Sequence, residues 1–450
     1  MAHIYNTTIH IEYQGFYCEK FEKDEKGRNI FRILSNRKSS NEVCPYCGSK
    51  VSGNGIRKVR LIDVPLMPGE ATVYEVHQHR YRCWDCGKTY TEENPFKVKG
   101  YQLTKRCVEW IFQLLRYRMT TSDIAKMIGI HWNTVRKLEK MRMEFAINQW
   151  DQEAQKSTYR PYYLAVDEFA IRKGHRYATC VMDLVRGDIL WVGKGRTIKD
   201  FRQFFDAYSK TDYLSCVKAV AMDMNASYNA LVKEYLPDAE IVYDRYHVQA
   251  QFGRDVLGKV RLDAARAHKE NAKQINSDGT SKQQVQHEKK LYSKIKKARW
   301  VLLQNKENLR QEKQQSLNEI LDTHSDLAVC YAMKEELCAL FQITDINEAA
   351  QRWSKWFDAA VHSNIPALAK FGRQKLKRID GLVAHAIFPI NTGRLEGFNN
   401  KIKVAKRNAY GFRNLDFFFS YIRFLSLPEG LYTYVYEEPK ICENYFWQQD

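Results

Sequence analysis

Hydrophobic and polar positions change their period several times along the chain. Up to about residue 100, short apolar runs alternate with Gly, Pro and Asn. The stretches LIDVP (61–65), ATVYEVHQHRYRC (71–83) and KTYTE (88–92) predict short β-strands. From Gln102 to about Phe145 the spacing turns helical, beginning with an amphipathic stretch from Leu103 to Arg118. Between 162 and 247 extended apolar runs return in YYLAVDEFAI, YATCVMDLV, DILWVGKG, VKAVAMDMN and AEIVYDRYHV. Five strands with short helical patterns between them predict an α/β unit. From 248 to about 380 the pattern is one of long polar helices, with a Gln/Lys/Asn/Ser-rich run near 268–290 expected to be a mobile connector. Helical spacing recurs around 394–407, before a strongly aromatic segment, FFFSYIRFLSLPEGLYTYVY (417–436). No tandem repeat is visible.

Composition narrows the function. At roughly 150 residues per domain, 450 residues suggest about three domains. The formal net charge of +18 is more than a neutral substrate requires and points to a polyanionic partner. No run of about 18 apolar residues exists to span a membrane, and no amphipathic anchor supports surface attachment. The opening MAHIYNTTIH lacks the basic and apolar parts of a signal peptide, so a cytoplasmic, reducing compartment is expected. There, four of the eleven cysteines standing as two Cys-x-x-Cys pairs favour metal over disulfides.

Those pairs are Cys44-Pro-Tyr-Cys47-Gly and Cys83-Trp-Asp-Cys86-Gly. Two thiolates three residues apart share an ion only if the backbone turns sharply, which the following Gly permits. Together they supply four soft ligands for a closed, structural Zn2+ site, with a β-hairpin expected between the knuckles as in a zinc ribbon. The segment TTSDIAKMIGIHWNTVRKLEKMR reads as a helix-turn-helix. Ala125 stands where two helices would touch, Gly129 at the left-handed turn, and Val135 as the apolar anchor of the second helix. Ile124, Ile128, Ile130 and Leu138 fill inward positions. Trp132, Asn133, Arg136 and Lys137 are left on the face that would contact DNA.

Asp167 and Asp223 lie within or at the end of nearly continuous apolar runs, the mark of central strands buried on both faces. A buried, unpaired carboxylate costs several kcal/mol, so two on neighbouring strands suggest a shared cation, Mg2+ or Mn2+. NTGRLEGFNNKIK (391–403) is the best source of a third ligand. A helix starting near Thr392 puts Glu396, Asn399, Asn400 and Lys403 on one face, offering a carboxylate to metal and amides and a cation to DNA. Glu168 falls on the opposite strand face from Asp167, and Asp183 ends a strand at a turn. Both are expected to be structural.

In order and spacing, these pieces resemble DDE transposases of bacterial insertion sequences, specifically the group called the ISL-three family. Besides the cysteine pairs and the helix-turn-helix, the resemblance rests on VDEFAIRKGHRYATCVMD around Asp167, AMDMNASY around Asp223, DRYHV at 244–248 and GRLEGFNNKIK around Glu396. It covers nearly the whole chain. It implies a multidomain α+β protein with a zinc ribbon (1–100) and a helix-turn-helix domain (101–150). An RNase H-like catalytic core (158–247 and 381–430) follows, interrupted by a helical insertion (248–380), and then a tail (431–450). It further implies that Asp167, Asp223 and Glu396 form a catalytic triad binding Mg2+ or Mn2+, working by two-metal phosphoryl transfer on double-stranded DNA, both element ends and target. Asp244 and His247 are similar to an auxiliary motif near such sites, with a capping role as the alternative. A homodimer is expected because two ends must be paired, in a bacterial cytoplasm in contact with the nucleoid.

Two other readings keep the fold and change the activity: a catalytically silent, transposase-derived regulator, and a structure-specific RNase H-like nuclease. The intact acidic residues disfavour the first and the helix-turn-helix the second. The charge is concentrated accordingly. Residues 1–150 carry 25 Lys and Arg against 16 Asp and Glu, and residues 370–413 carry 11 against 2.

Overall fold

A computed structural model of the chain describes residues 15–428 apart from 68, 118, 173–175, 278, 280 and 410. The opening MAHIYNTTIH, the expected tail 431–450 and the end of the aromatic segment lie outside the described residues. Two compact units divide the chain, Met1–Ala154 with Asn408–Asp450, and Gln155–Arg407. Among the described residues no helix is long and apolar enough to cross a membrane.

The first unit begins with a mixed sheet of β1 (Phe16–Lys23), β2 (Asn29–Ser35), β3 (Val51–Asp63), β4 (Thr72–Cys83) and β5 (Thr89–Thr91), ordered β1-β2-β4-β3 with β5 beside β4. Strands β3 and β4 form the expected antiparallel hairpin between the two cysteine pairs, paired from Asp63 opposite Thr72 to Val51 opposite Cys83 with a register shift between Gly53 and Ile56. One face buries Phe16, Phe31, Ile33, Leu61, Tyr74 and Val76 in a common core. At the end of β3 the fully buried Asp63 accepts from the Thr104 hydroxyl (2.5 Å) and from Arg106. Thr104 in turn caps α1 (Lys105–Arg116), so one threonine joins sheet and helix.

Helices α2 (Thr121–Ile128) and α3 (Trp132–Lys156) complete a three-helix cluster. Cys107, Val108, Ile111, Phe112, Ile124, Ala125, Ile128, Val135 and Leu138 are buried together. The Thr120 side chain accepts from the Asp123 amide at the start of α2, and Gly129 ends it at φ 79°, where a β-carbon would be strained. Helix α3 runs past the expected end at 145 because neither Gly nor Pro interrupts it before Pro161.

The second unit is built on β6 (Tyr163–Arg172), β7 (Arg176–Asp183), β8 (Ile189–Lys194), α4 (Ile198–Tyr208), β9 (Ala219–Met222), α5 (Ala226–Tyr235), β10 (Glu240–Tyr243) and α6 (Arg245–Phe252). The five strands read from sequence are all present, in the order β10-β9-β6-β7-β8. Strand β7 is antiparallel to β6 and β8, whereas β6, β9 and β10 pair in parallel. After one π-helical turn (Gly253–Leu257) the chain continues as α7 (Gly258–Ser277), α8 (Lys282–Lys297), α9 (Arg299–Leu303), α10 (Gln311–Thr323), α11 (Ser325–Leu340), α12 (Ile346–Val361), α13 (Pro366–Leu376) and α14 (Ile379–Val383). Helix α15 (Gly393–Asn408) follows.

Where a connector was expected near 268–290, the chain is helical: α7 and α8 pack on each other. The buried stripe is thin, Ala265 and Ala272 against Val285 and Ile295, and the polar residues are its solvated faces. Side-chain hydrogen bonds reinforce it, from Arg261 to the Lys296 carbonyl (2.5 Å) and between His268 and Glu288 (2.7 Å). Helix α16 (Leu415–Ser426), in the aromatic segment, returns to the first unit, where Phe417, Phe424 and Leu427 pack on Met143, Ala146 and Ile147 of α3.

Candidate functional site

Strand register brings two acidic residues level. Ala165 on β6 pairs with Ala221 on β9, so two residues further along each strand stand Asp167 and Asp223 on the same side. Asp223 falls just past the end of β9, where its Oδ1 accepts from the Asn225 amide (2.6 Å) and Asn225 caps α5. Asp244 occupies the equivalent place after β10. Its Oδ1 accepts from the Tyr246 and His247 amides, capping α6, and its Oδ2 accepts from the Thr392 amide (2.6 Å) and hydroxyl (2.7 Å). One buried carboxylate therefore fixes the start of two helices, the one that carries His247 and α15, which carries Glu396.

Both ends of α15 are anchored. Arg394 donates to the carbonyls of Leu184, Val185 and Arg186 in the turn after β7, and Gly187 in that turn has no β-carbon to displace the guanidinium. At the other end Lys406 donates to the carbonyls of Ala170 (2.9 Å) and Ile171 (2.7 Å) on β6. Thus laid across the sheet, α15 brings the Asn399 amide to Asp167 Oδ2 (2.8 Å). His247 Nε2 lies 4.0 Å from Asp167 and 3.9 Å from Glu396. The four residues expected on one face of α15 divide: Glu396 and the buried Asn399 turn toward the acidic cluster, whereas Asn400 and Lys403 are exposed and bonded to each other.

A cleft of about 420 Å³ opens on this cluster, lined among others by Asp223, Glu168, His247, Gln251 and Lys375. Burial pushes the Asp167 carboxyl up to about 6, and the charges of Glu396 and Asp223 push the same way against the pull of His247. His247 Nε2 and Asn399 Oδ1 are buried without a hydrogen-bond partner among the described residues. A cation between the carboxylates, with a phosphate oxygen beside it, would relieve the repulsion and give the imidazole a partner.

Glu168 does face away from Asp167, yet it lines the same cleft, where its Oε1 accepts from Tyr228 (2.9 Å) and Asn225 (3.1 Å) and its Oε2 lies 3.4 Å from Arg196. Asp183 stands apart as a turn residue, accepting from Tyr159 and the Val185 amide. Lys375 had no sequence signal. It is buried on α13, donates to Gln251 (2.5 Å), and burial lowers its pKa below the usual lysine value.

In the first unit the sulfurs of Cys44, Cys47, Cys83 and Cys86 all lie within 4.8 Å of one another. Gly48 and Gly87 turn the knuckles at φ 74° and 65°. Hydrogen bonds from Ser49 hold the Cys47 thiol down to about 6. Four thiols this close cannot all ionise without a cation among them, and the set fits a tetrahedral soft metal. On α3, Trp132, Asn133 and Lys137 are exposed, whereas Arg136 is half-buried with its guanidinium 5.0 Å from the Phe417 ring and 5.9 Å from Trp132.

Comparison with known proteins adds an independent line. A family model described as transposase, of the DDE and ISL-three type, matches residues 164–422. Over 414 residues the chain is 32% identical to the transposase for insertion sequence element IS1001 of Bordetella parapertussis, covering 91% of this chain and 95% of that one. It is 25% identical over 417 residues to the transposase for IS1557 of Mycobacterium tuberculosis, 88% of each. Among solved structures, the Drosophila P element transposase strand transfer complex aligns with 73% of this chain and 93% of its own at a TM-score of 0.35 and 10% identity, a level that does not establish a shared fold.

Proposed function

The chain belongs to the ISL-three family of DDE transposases, and from that membership we infer that it binds the terminal inverted repeats of its own insertion sequence and cuts and joins DNA at Asp167, Asp223 and Glu396. The observation that carries this reading is that His247 Nε2 lies within 4.0 Å of both Asp167 on β6 and Glu396 on α15, while His247 and Asp223, just past the end of β9, line one cleft. The strand order and the antiparallel β7 support an RNase H-like core, and α7–α13 correspond to the insertion before its last acidic residue.

Asp167, Asp223 and Glu396 would hold Mg2+ or Mn2+, which when bound supplies activation of a water or 3′-hydroxyl and stabilisation of the leaving 3′-oxygen. The protein's own contribution is placement. Asn399 orients Asp167, Asp244 sets the start of α15 and hence Glu396, and His247 offers its unpartnered Nε2 to a phosphate oxygen of the scissile strand. Lys375 brings a cation to the same cleft.

In the first unit the four cysteines would hold structural Zn2+, with no position open to water. Helices α2 and α3 act as a helix-turn-helix, with Trp132, Asn133 and Lys137 contacting DNA and Arg136 braced by aromatic rings at the edge of that face. The working form is a dimer that pairs the two ends. Incubation with a duplex carrying the inverted repeats that bracket its gene tests the reading. Nicking at the repeat boundary with Mg2+ or Mn2+, absent with EDTA, is the expected result, and metal-independent or position-independent cutting would refute it.

A further inference from the structure

Tyr243 is a wall common to two clefts: the acidic one, and a larger one of about 690 Å³ between α5 and α13. The larger cleft is lined by five cations, Lys233, Lys370, Arg373, Lys377 and Arg378, and by no carboxylate. Among the described residues Lys233, Lys370, Arg373 and Lys377 have no ion-pair partner, and Glu234, next to Lys233 in sequence, is taken by Arg202 at 2.7 Å. The arrangement along α13 is periodic. Lys370, Arg373, Gln374 and Lys377 stand at i, i+3, i+4 and i+7, one helical face, while Lys375 turns aside to Gln251 in the acidic cleft. One helix thus contributes cations to both clefts.

The dividing wall is held in place. The Tyr243 hydroxyl donates to Asn229 (2.6 Å) and accepts from Arg378 (3.0 Å), and Gly381 leaves room for its ring where a β-carbon would collide. Among the described residues of the lining Tyr243 alone is aromatic, and its ring forms the dividing wall, so these residues offer no series of rings on which bases could stack. Clustered like charges repel unless a polyanion occupies the space. Helix α13, eleven residues long, spans about 16 Å, roughly the rise of five nucleotides at 3.4 Å per step.

We propose that this cleft binds the sugar-phosphate backbone of the DNA strand that runs on from the acidic cleft, gripping it without reading its bases. The assignment rests on the DNA-cutting reading above and extends it to α5 and to the face of α13 turned away from Lys375.

The test uses the full chain with Lys233→Ala, Lys370→Ala and Arg373→Ala combined. The control is Lys282→Ala, Lys289→Ala and Lys290→Ala on α8, three exposed positions with the same change in net charge. Fluorescence anisotropy follows binding of a labelled duplex containing one terminal repeat and its flank as salt is raised. The cleft variant should lower the slope of log affinity against log salt by about 2 to 3, and the control by less than about 1. The charge-preserving set Lys233→Arg, Lys370→Arg and Arg373→Lys should restore the wild-type slope. An unchanged slope in the cleft variant, equal losses in cleft and control variants, or failure of the charge-preserving set overturns the proposal. If wild type neither binds nor cuts the duplex, the functional reading itself fails. A wild type that does both beside a cleft variant with unchanged slope refutes the cleft alone.

Discussion

Asp167 carries a charge that its surroundings oppose, by burial and by the carboxylates of Glu396 and Asp223, and its pKa is raised from 3.8 to about 6. A carboxyl whose folded pKa exceeds its unfolded value contributes stability below the unfolded pKa and loses it as pH rises through the folded one. Metal-free protein with Asp167→Asn should therefore melt higher than wild type above pH about 6 and differ little below pH about 4, since asparagine mimics the protonated acid. Thermal scans across that range in EDTA check this, and a constant difference at all pH values would contradict it. Asn399 positions this carboxylate, so Asn399→Ala should weaken Mn2+ affinity by about 10- to 100-fold, with calorimetry as the readout. Asn400→Ala, one residue on but exposed, should leave it unchanged. The two aspartates were legible in the sequence because each interrupts an apolar run that has no other use for a charge. Lys375 was not, since a lysine in a polar helix reads as solvated, and only packing reveals that it is buried against Gln251.

At the scale of elements, the position of Glu396 depends on how α15 is tied down. Thr392→Val removes the hydroxyl that Asp244 accepts from and leaves a buried carboxylate short of a partner, a loss of about 1–3 kcal/mol. Strand cleavage should fall with it, although Thr392 lies four residues before Glu396. Unchanged melting and unchanged cleavage would show that the Asp244–Thr392 contact does not hold the helix. In the first unit, Gly129→Ala should destabilise the three-helix cluster by about 1 kcal/mol because the turn between α2 and α3 requires positive φ. That turn was legible because small, glycine and branched residues fall at fixed offsets. The α7–α8 pair was not, because few of its residues are buried, two of them alanines, and its side-chain hydrogen bonds are polar, so its composition resembles that of a linker. Strands β1 and β2 also went unread, their alternation in FYCEKFEK and NIFRILS too short to stand out.

Over the whole molecule, the excess of +18 was legible as two regional surpluses, but the second of these divides in three dimensions. Lys370, Arg373, Lys377 and Arg378 line the cleft beside α5, while Arg394 and Lys406 are spent anchoring α15 to backbone carbonyls. Sequence counting cannot separate cations that face a ligand from cations that hold a helix. The cysteine pairs lie in the other unit, so zinc and catalysis should be separable: Cys44→Ser should lower the zinc content and weaken binding to the terminal repeats while the second unit keeps its Mn2+ affinity. Loss of Mn2+ affinity in that variant would contradict the separation. The central claim is that Asp167, Asp223 and Glu396 together form a metal-dependent centre that cuts DNA. Its most direct test is the cleavage rate of Asp223→Asn on a repeat-bearing duplex in Mg2+, with binding measured on the same duplex. Unchanged binding and a cleavage rate lower by at least about a thousandfold are expected, the loss of several kcal/mol of transition-state stabilisation. Cleavage within a few-fold of wild type would contradict it.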